Sequence, residues 1–483
     1  MWERFSYYGM RGFLILYMTA ATTMGGMGLD VATAGAIYGT YTSLVYLMSL
    51  PGGWLADRVL GQRRAVLYGG ILIACGHFSL AVPTVTGFYL GLILVVLGTG
   101  LLKPNISVIV GQMYEQNDVR RDSAFSIFYM GINLGAFFGP LITGYLAQSE
   151  GFRARMVGWG MDPNTAWHWG FGAAGVGMTL GLVQYVVGAR ALGDAGMKPA
   201  PAASPEAAAK LKRQAFLGIG GGLAVLAAVG ILIATGILPA TPQQVTGAYS
   251  YVLLAVTIGF FGWLFLGSSW TPEERRRLYV IGVYFVSAAL FWSVFEQAGS
   301  TLNLFADRST VNVVFGNAFP SSWWQSLNAM LIFLLAPVFA WLWVKLGDRQ
   351  PASPTKFALG LIGVGLGFIY LLPAASEAAT GAKVGVVWLF GVYTIHTLAE
   401  LCLSPVGLSS MTKLAPTRIV SLMMGVWFLG ASIGNFIGGH AASFYETLPL
   451  TTLLVAVAAL PILTGVVMLL FRKSLTALQG GVR

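Results

Sequence analysis

MWERFSYYGMRGFLILYMTA, residues 1–20 of a 483-residue chain, reads as a membrane helix from Phe13 to Met18, yet Glu3, Arg4 and Arg11 sit in the same segment. A charge at the centre of a membrane helix costs at least about 2.5–3.5 kcal/mol on insertion scales, so three of them in one segment need partners. Helical spacing supplies the first part of an answer. Residues 3, 4, 7, 8 and 11 fall on one stripe of a 3.6-residue helix. Glu3, Arg4, Tyr7, Tyr8 and Arg11 therefore share a face, and apolar residues cover the rest.

The whole chain shares the character of this stretch. Hydrophobic residues make up 56% and charged residues 10%, where soluble domains carry roughly 25% charged residues, and the mean hydropathy is +0.73. The fold class is an all-α polytopic membrane protein. The 63 glycines and 14 tryptophans fit that class, because small residues let membrane helices approach and Trp collects at the interface. Cys75 and Cys402 are the only two cysteines; they lie in predicted spans in opposite halves and imply reduced thiols without a disulfide framework. No cleavable signal peptide is evident at the start. The charged pattern begins at once, so Met1 need not be the natural initiator.

Apolar runs of about 20 residues, enough to cross roughly 30 Å of hydrocarbon, recur throughout. They predict spans at 1–28, 33–57, 63–83, 85–115, 119–149, 164–190, 212–235, 247–268, 273–306, 319–348, 353–376, 382–413, 417–446 and 448–474, fourteen transmembrane helices. The Pro-, Ala- and charge-rich stretch GDAGMKPAPAASPEAAAKLKRQ, residues 193–214, reads as an exposed linker. The layout is an N-terminal six-helix bundle (1–190), a cytoplasmic linker (191–211), a two-helix insert (212–268), a C-terminal six-helix bundle (273–474) and a cytoplasmic tail (475–483). Of the 28 Lys and Arg residues, Arg153, Arg155, Arg308 and Lys383 fall on one side and Arg4, Arg11 and Lys103 within spans. The remainder fall on the other side, so the positive-inside rule puts both termini in the cytoplasm. The net charge of +10 is then a topology signal and gives no reason to expect a nucleic-acid partner.

Three carboxylates, Glu3, Glu296 and Glu400, also lie within spans. Together with Arg4, Arg11 and Lys103 they are expected to face and pair across a shared polar cavity. Trp292, Glu296, Gly299 and Asn303 repeat the helical spacing, as do His396, Glu400, Ser404 and Gly407. Plainer readings exist for several of these residues. Arg4 could snorkel to the head groups, Glu296 could lock two helices, and His396, one turn from Glu400, could tune that acid or simply pack. The loop GGWLADRVLGQRRA, residues 52–65, sets Asp57 before an Arg cluster with which it could make a charge contact.

That loop resembles the cytoplasmic loop motif of the major facilitator superfamily. Within that superfamily, ERFSYYGMRGFLILYM, GGWLADRVLGQRR, FSIFYMGINLGAFFGPLITGYL and FWSVFEQAGSTLNLFADR resemble the signatures of the proton-coupled oligopeptide transporter family, bacterial type, across nearly the whole chain. The resemblance implies a major facilitator fold carrying an inserted helix pair and symport of di- and tripeptides with protons. It implies proton coupling through Glu3 and Arg4 of an E-x-x-E-R motif, with Arg11 and Lys103 receiving the peptide carboxylate. Glu296 would pair with those cations as a gate, and Glu400 would receive the peptide amine. Tyr7, Tyr8, Tyr46, Asn133, Trp292, Asn328, Ser404 and Trp427 match positions that line the peptide pocket in relatives. Two departures stand out: the first glutamate of E-x-x-E-R would lie just before Met1, and the second span has no histidine, so coupling would rest on carboxylates.

The residue chemistry suits such a substrate. A zwitterionic peptide presents one amine, one carboxylate and variable bulk, which cations on one half, a carboxylate on the other and aromatic walls would clamp. The working hypothesis is that protonation of Glu296 frees Arg11 and Lys103 for the peptide carboxylate, after which the two halves rock about the central site. The expected partners are peptides, protons and membrane lipids, with no cofactor beyond the proton gradient. The expected state is a monomer in the inner cell membrane. Rival readings are a nitrate-like anion carrier on the same fold, against which Glu400 speaks, and a non-transporting sensor. An enzyme is the weakest alternative, since no H-E-x-x-H, G-x-S-x-G or P-loop motif occurs.

Overall fold

The computed structural model describes every residue except 116, 117, 119, 200–203, 268, 417, 418 and 481–483. Parts of the predicted linker and tail and the start of the predicted 417–446 span therefore lie outside the described residues.

Long helices dominate, and their starts have chemical causes. The first is α1 (Trp2–Thr19), followed by α2 (Val31–Leu47), α3 (Ser49–Leu55), α4 (Gln62–Leu80) and α5 (Val85–Gln112). Asp30 opens α2 by accepting the Thr33 N–H at 2.7 Å, and Thr84 opens α5 by accepting from Gly87 at 3.0 Å, each filling an orphan donor of the first turn. Next come α6 (Arg120–Gln148), α7 (Glu150–Gly158), α8 (Ala166–Val187), α9 (Pro205–Ala234) and α10 (Pro242–Leu266). The chain continues through α11 (Pro272–Phe295), α12 (Thr301–Arg308), α13 (Gln325–Leu346), α14 (Ser353–Tyr370) and α15 (Leu372–Ala378). It ends with α16 (Val387–Leu414), α17 (Val420–Ala442), α18 (Leu450–Leu470) and α19 (Arg472–Leu478). Thr241 and Thr271 form capping boxes with Gln244 and Glu274 just before Pro242 and Pro272, a proline at the first helical position needing no N–H partner.

Helices run through the stretches read as spans, with instructive breaks, and α1 ends at Thr19, short of the expected residue 28. The predicted 33–57 span divides at Met48, where Pro51 removes a backbone donor, and α3 ends in a π turn, Ala56–Leu60. The predicted 273–306 span is interrupted by a 3-10 turn at Glu296–Gly299. The predicted linker shortens, because Ser204 accepts the Ala207 N–H at 3.1 Å and starts α9 at Pro205. Part of the predicted tail packs: α19 follows α18, and Gln479 donates to the Tyr284 hydroxyl at 2.6 Å. Asp57 accepts a hydrogen bond from Gln62 at 2.8 Å, while Arg63 donates to the Ala189 and Gly193 carbonyls. The neutral amide and the carbonyls thus take the roles expected of an Asp57–Arg contact.

Among the described residues, eleven helical stretches are long and apolar enough to cross a membrane. The first three predicted spans are not among them: α1 carries three charges, α2 and α3 are broken, and α4 holds Arg63, Arg64 and His77. By these stretches the chain is a multi-pass helical membrane protein.

Apolar packing gathers into two main cores. One joins α1, α2, α5 and α8 around Tyr7, Phe13 and Phe171, and the other joins α11, α14, α16 and α18 around Tyr284, Phe291 and Phe357. The two sets of helices meet closely at the end away from Met1. There, Gly39 of α2 abuts α17 so tightly that a Cβ on it would lie 2.8 Å from Gly439 Cα; small residues are what allow such an approach. Elsewhere between the two sets, the Ser326 hydroxyl donates to the Phe137 carbonyl at 2.7 Å, the Trp323 indole to the Leu141 carbonyl at 3.0 Å, and Asn303 to the Gly12 carbonyl at 2.7 Å.

Candidate functional site

Between the two cores lies a cavity of about 150 Å³, walled by α1, α2 and α6 on one side and by α11, α13 and α16 on the other. Its chemistry is arranged by helical register. Tyr8 and Arg11 come from adjacent turns of α1, and Tyr46 from the last turn of α2. Asn133 lies on α6, Trp292 and Glu296 at the end of α11, Asn328 on α13 and Glu400 on α16. Eight of the predicted site residues thus line one space.

An ion pair dominates it. Arg11 Nη1 lies 2.6 Å from Glu296 Oε2, both side chains being 5% exposed, and the Tyr46 hydroxyl donates to Glu296 Oε1 at 3.5 Å. Glu296 occurs where α11 gives way to the 3-10 turn, so the helix break sets the acid at the cavity wall. Gly299 at the end of that turn is required by the same geometry. A Cβ there would lie 3.0 Å from Arg11 Nε and would collide with the Tyr38 hydroxyl.

Across the cavity, Glu400 is differently placed. Its Oε2 accepts from Asn328 Nδ2 at 3.0 Å, and the same amide nitrogen also donates to the Thr397 hydroxyl at 3.0 Å. Among the described residues no cation pairs with it. The Trp292 indole N–H is buried and has no protein partner, a donor available to a ligand in the cavity. Asn133 bonds back to the Tyr129 carbonyl through its amide nitrogen at 3.0 Å. His396 lines the wall while wedging against Gly367, where a Cβ would strike its ring. It lies 5.4 Å, ring to ring, from Phe368.

The other predicted site residues lie outside the cavity lining. Glu3 and Arg4 pair with each other, Arg4 Nε to Glu3 Oε2 at 3.1 Å. Tyr7 sits edge-on to Tyr8 at 5.3 Å and is packed into the first core. Lys103 is directed onto the Tyr46 ring, its Nζ 3.3 Å from the centroid, with the Phe428 ring 5.8 Å away. That is cation–π geometry. Glu296 thus has its ion pair with Arg11, and Lys103 rests on an aromatic face. Trp427 leans on Gly407, where its indole leaves no room for a side chain. The Ser404 hydroxyl is buried without a protein partner.

Nine lining residues were not anticipated from sequence, four of them aromatic or polar: Tyr129, Gln325, Tyr393 and Phe295. Three were reachable by extending each stripe along its own helix. Tyr129 is one turn from Asn133, Gln325 three residues before Asn328, and Tyr393 two turns before Glu400.

Comparison with known proteins gives this geometry a context. Residues 63–456 match the family model described as the POT family. The chain is 42% identical over 456 residues to the peptide transporter YePEPT of Yersinia enterocolitica subsp. palearctica, covering 91% of this chain and 86% of that protein. It is 37% identical to a di-/tripeptide transporter of Lactococcus lactis subsp. cremoris, covering 100% and 95%. A mutant of a peptide transporter solved in complex with alafosfalin superposes with a TM-score of 0.88 at 41% identity, covering 99% of this chain and 93% of that one. Helical architecture, cavity and sequence agree, and the chain belongs to the POT family.

Proposed function

We propose that the protein is a secondary transporter that carries di- and tripeptides into the cell together with protons by alternating access, and that it is not an enzyme. Relatives named as peptide and di-/tripeptide transporters support the substrate class. The observation that carries the reading is the cavity itself, where the buried Arg11–Glu296 pair and Glu400, which pairs with no cation among the described residues, line opposite walls of one space. A peptide amine would bond Glu400. The peptide carboxylate would compete with Glu296 for Arg11 and draw Lys103 from the Tyr46 ring. A proton on Glu296 would remove the competitor, so peptide and proton would favour each other.

The same reading takes fourteen spans arranged as six, two and six, both termini in the cytoplasm and the inner cell membrane as the location. The split of the apolar core into two main clusters supports the two bundles, and the Lys and Arg distribution supports the orientation. A monomer surrounded by lipid, with no cofactor beyond the proton gradient, completes it; Glu3 and Arg4 serve proton coupling near the Met1 end. Uptake of labelled dialanine into proteoliposomes, with and without an acid-outside gradient, tests this. Accumulation that needs the gradient and is competed by dipeptides is expected. Competition by nitrate in place of dipeptides would replace it with the anion-carrier reading, which Glu400 in the cavity disfavours.

A further inference from the structure

The inserted helix pair has no part in the cavity, yet α10 makes specific polar contacts with the seam between the two halves. At its outer end Gln243 donates to the Thr33 hydroxyl, and that hydroxyl in turn donates to Asp30 at 2.7 Å. Two turns on, the Tyr249 hydroxyl lies 2.7 Å from Ser43 Oγ on α2, and Ser43 Oγ lies 2.8 Å from Ser432 Oγ on α17. Ser432 also donates to the Ser43 carbonyl at 2.9 Å. One proton order satisfies the whole set: Tyr249 donates to Ser43, Ser43 to Ser432, and Ser432 to the carbonyl. The Tyr249 ring stands edge-on to Phe436 of α17 at 5.6 Å.

The inner half of α10 turns to the other bundle. Phe261 packs on Phe285 of α11 at 4.6 Å, and Phe265 stacks on Tyr279 at 5.6 Å. Tyr251, two residues from Tyr249, is 75% exposed, so one face of the helix grips the protein while the other meets lipid. None of the described residues in the most apolar stretch of α9 is buried, which leaves α10 as the half of the insert that engages the seam.

We infer that α10 is a strap across the two halves, and that Gln243 and Tyr249 are positioning residues of the transport cycle which, through Thr33, Ser43 and Ser432, hold α2 on α17 in the form closed at the end away from Met1. The inference rests on the transporter reading, because only a protein that parts α2 from α17 at this end makes use of the hold. When the two helices separate, Ser432 loses both bonds to Ser43, and Tyr249, whose ring stays on Phe436 of α17, loses its bond to Ser43 as well. A bond made only in the closed form favours that form by its whole value. Interhelical hydrogen bonds in membranes are nonetheless modest, so deleting one hydroxyl shifts the open-to-closed ratio roughly three- to twentyfold.

The test uses the full chain in lipid, with Cys75 and Cys402 replaced by Ser and spin labels at Met24 and Leu448, in the loops that follow α1 and α17. Pulsed electron-electron distance measurement reads the ratio of long to short separations. Tyr249→Phe keeps the ring on Phe436 and should raise that ratio three- to twentyfold; Ser432→Ala should do the same, and the double variant should add little beyond either. Tyr251→Phe should leave it unchanged. In exchange assays Tyr249→Phe should lower the apparent KM for external dialanine and slow maximal uptake, a split that plain destabilisation would not produce. An unchanged distance ratio in both Tyr249→Phe and Ser432→Ala, or an equal shift in Tyr251→Phe, overturns the strap. Failure of the parent chain to move dialanine would overturn the peptide reading alone, since the distance measurement needs no substrate.

Discussion

Replacing Glu296 by Gln isolates the charge in the central pair. The amide keeps the shape of the side chain and an acceptor for the Tyr46 hydroxyl, but leaves Arg11 without a counter-charge. Both partners are 5% exposed, so the range of about 0–1 kcal/mol for exposed pairs does not apply. Removing one member of a buried pair costs about 3–5 kcal/mol, because the other charge stays buried. That cost falls on the state in which the pair is made, and at about 1.4 kcal/mol per factor of ten it shifts the balance between states by more than a hundredfold. A protonated glutamate and a glutamine are alike in charge, so the variant imitates the proton-loaded site permanently. Counterflow, in which labelled dialanine exchanges against unlabelled dialanine with no gradient, should therefore survive. Accumulation driven by an acid-outside gradient should vanish, and the rate should lose its dependence on outside pH. Full gradient-driven uptake by Glu296→Gln would refute the reasoning, since the pair would then be structural.

Three other outcomes are expected. Gly299→Ala forces a methyl against Arg11 Nε and the Tyr38 hydroxyl, an overpacking of about 1–3 kcal/mol; gradient-driven uptake should fall roughly five- to hundredfold, and wild-type uptake would show that the guanidinium does not need that space. Glu400→Gln should weaken dialanine binding roughly ten- to hundredfold, the value of a charge-assisted hydrogen bond, while leaving N-acetyl-dialanine unaffected; equal losses for both ligands in competition assays would remove the amine from Glu400. Asp30, outside the spans, is held below the usual carboxylate range by its hydrogen bonds from Thr33. A depressed folded pKa gives stabilisation that is present above the unfolded value of about 3.9 and lost only as pH falls through the lower folded one. The cost of Asp30→Ala, about 1 kcal/mol for a lost helix cap, should then be the same in thermal melts at pH 7 and pH 5, and a smaller difference at pH 5 would contradict the assignment.

Much of the cavity was legible because membrane burial makes charge conspicuous. Arg11, Glu296 and Glu400 stood out among apolar neighbours, and the 3.6-residue spacing of α1 set Tyr8 beside Arg11. What escaped the reading depends on how one helix is turned against another. The spacing of α5 alone does not say that Lys103 will meet the Tyr46 ring while Arg11 takes Glu296. Tyr249, Ser43 and Ser432 are separated by 206 and 389 positions, and each looks like an ordinary polar residue in its own span. Breaks were hidden for a related reason. Hydropathy runs straight through Pro51 and through Glu296–Gly299, and only the backbone hydrogen bonding distinguishes a continuous helix from an interrupted one.

The interruption after Phe295 ties closure to charge. The turn Glu296–Gly299 leads directly into α12, whose Asn303 side chain donates to the Gly12 carbonyl at 2.7 Å, and Gly12 follows Arg11 on α1. Glu296 and Asn303 therefore grip neighbouring residues of the same helix, one through a charge and one through a backbone acceptor. Parting α1 from α12 at the end away from Met1 strains both contacts at once, so opening that end and breaking the ion pair are one movement. A proton that neutralises Glu296 weakens one of the two grips without touching the other, and a ligand shifts an equilibrium only by its unequal interaction with the two states. On the proton-coupled reading this inequality is the coupling. Removing the neutral grip with Asn303→Ala should ease opening without altering the pH dependence of uptake, whereas Glu296→Gln should abolish that dependence. A loss of pH dependence in Asn303→Ala would mean that the two contacts do not act separately.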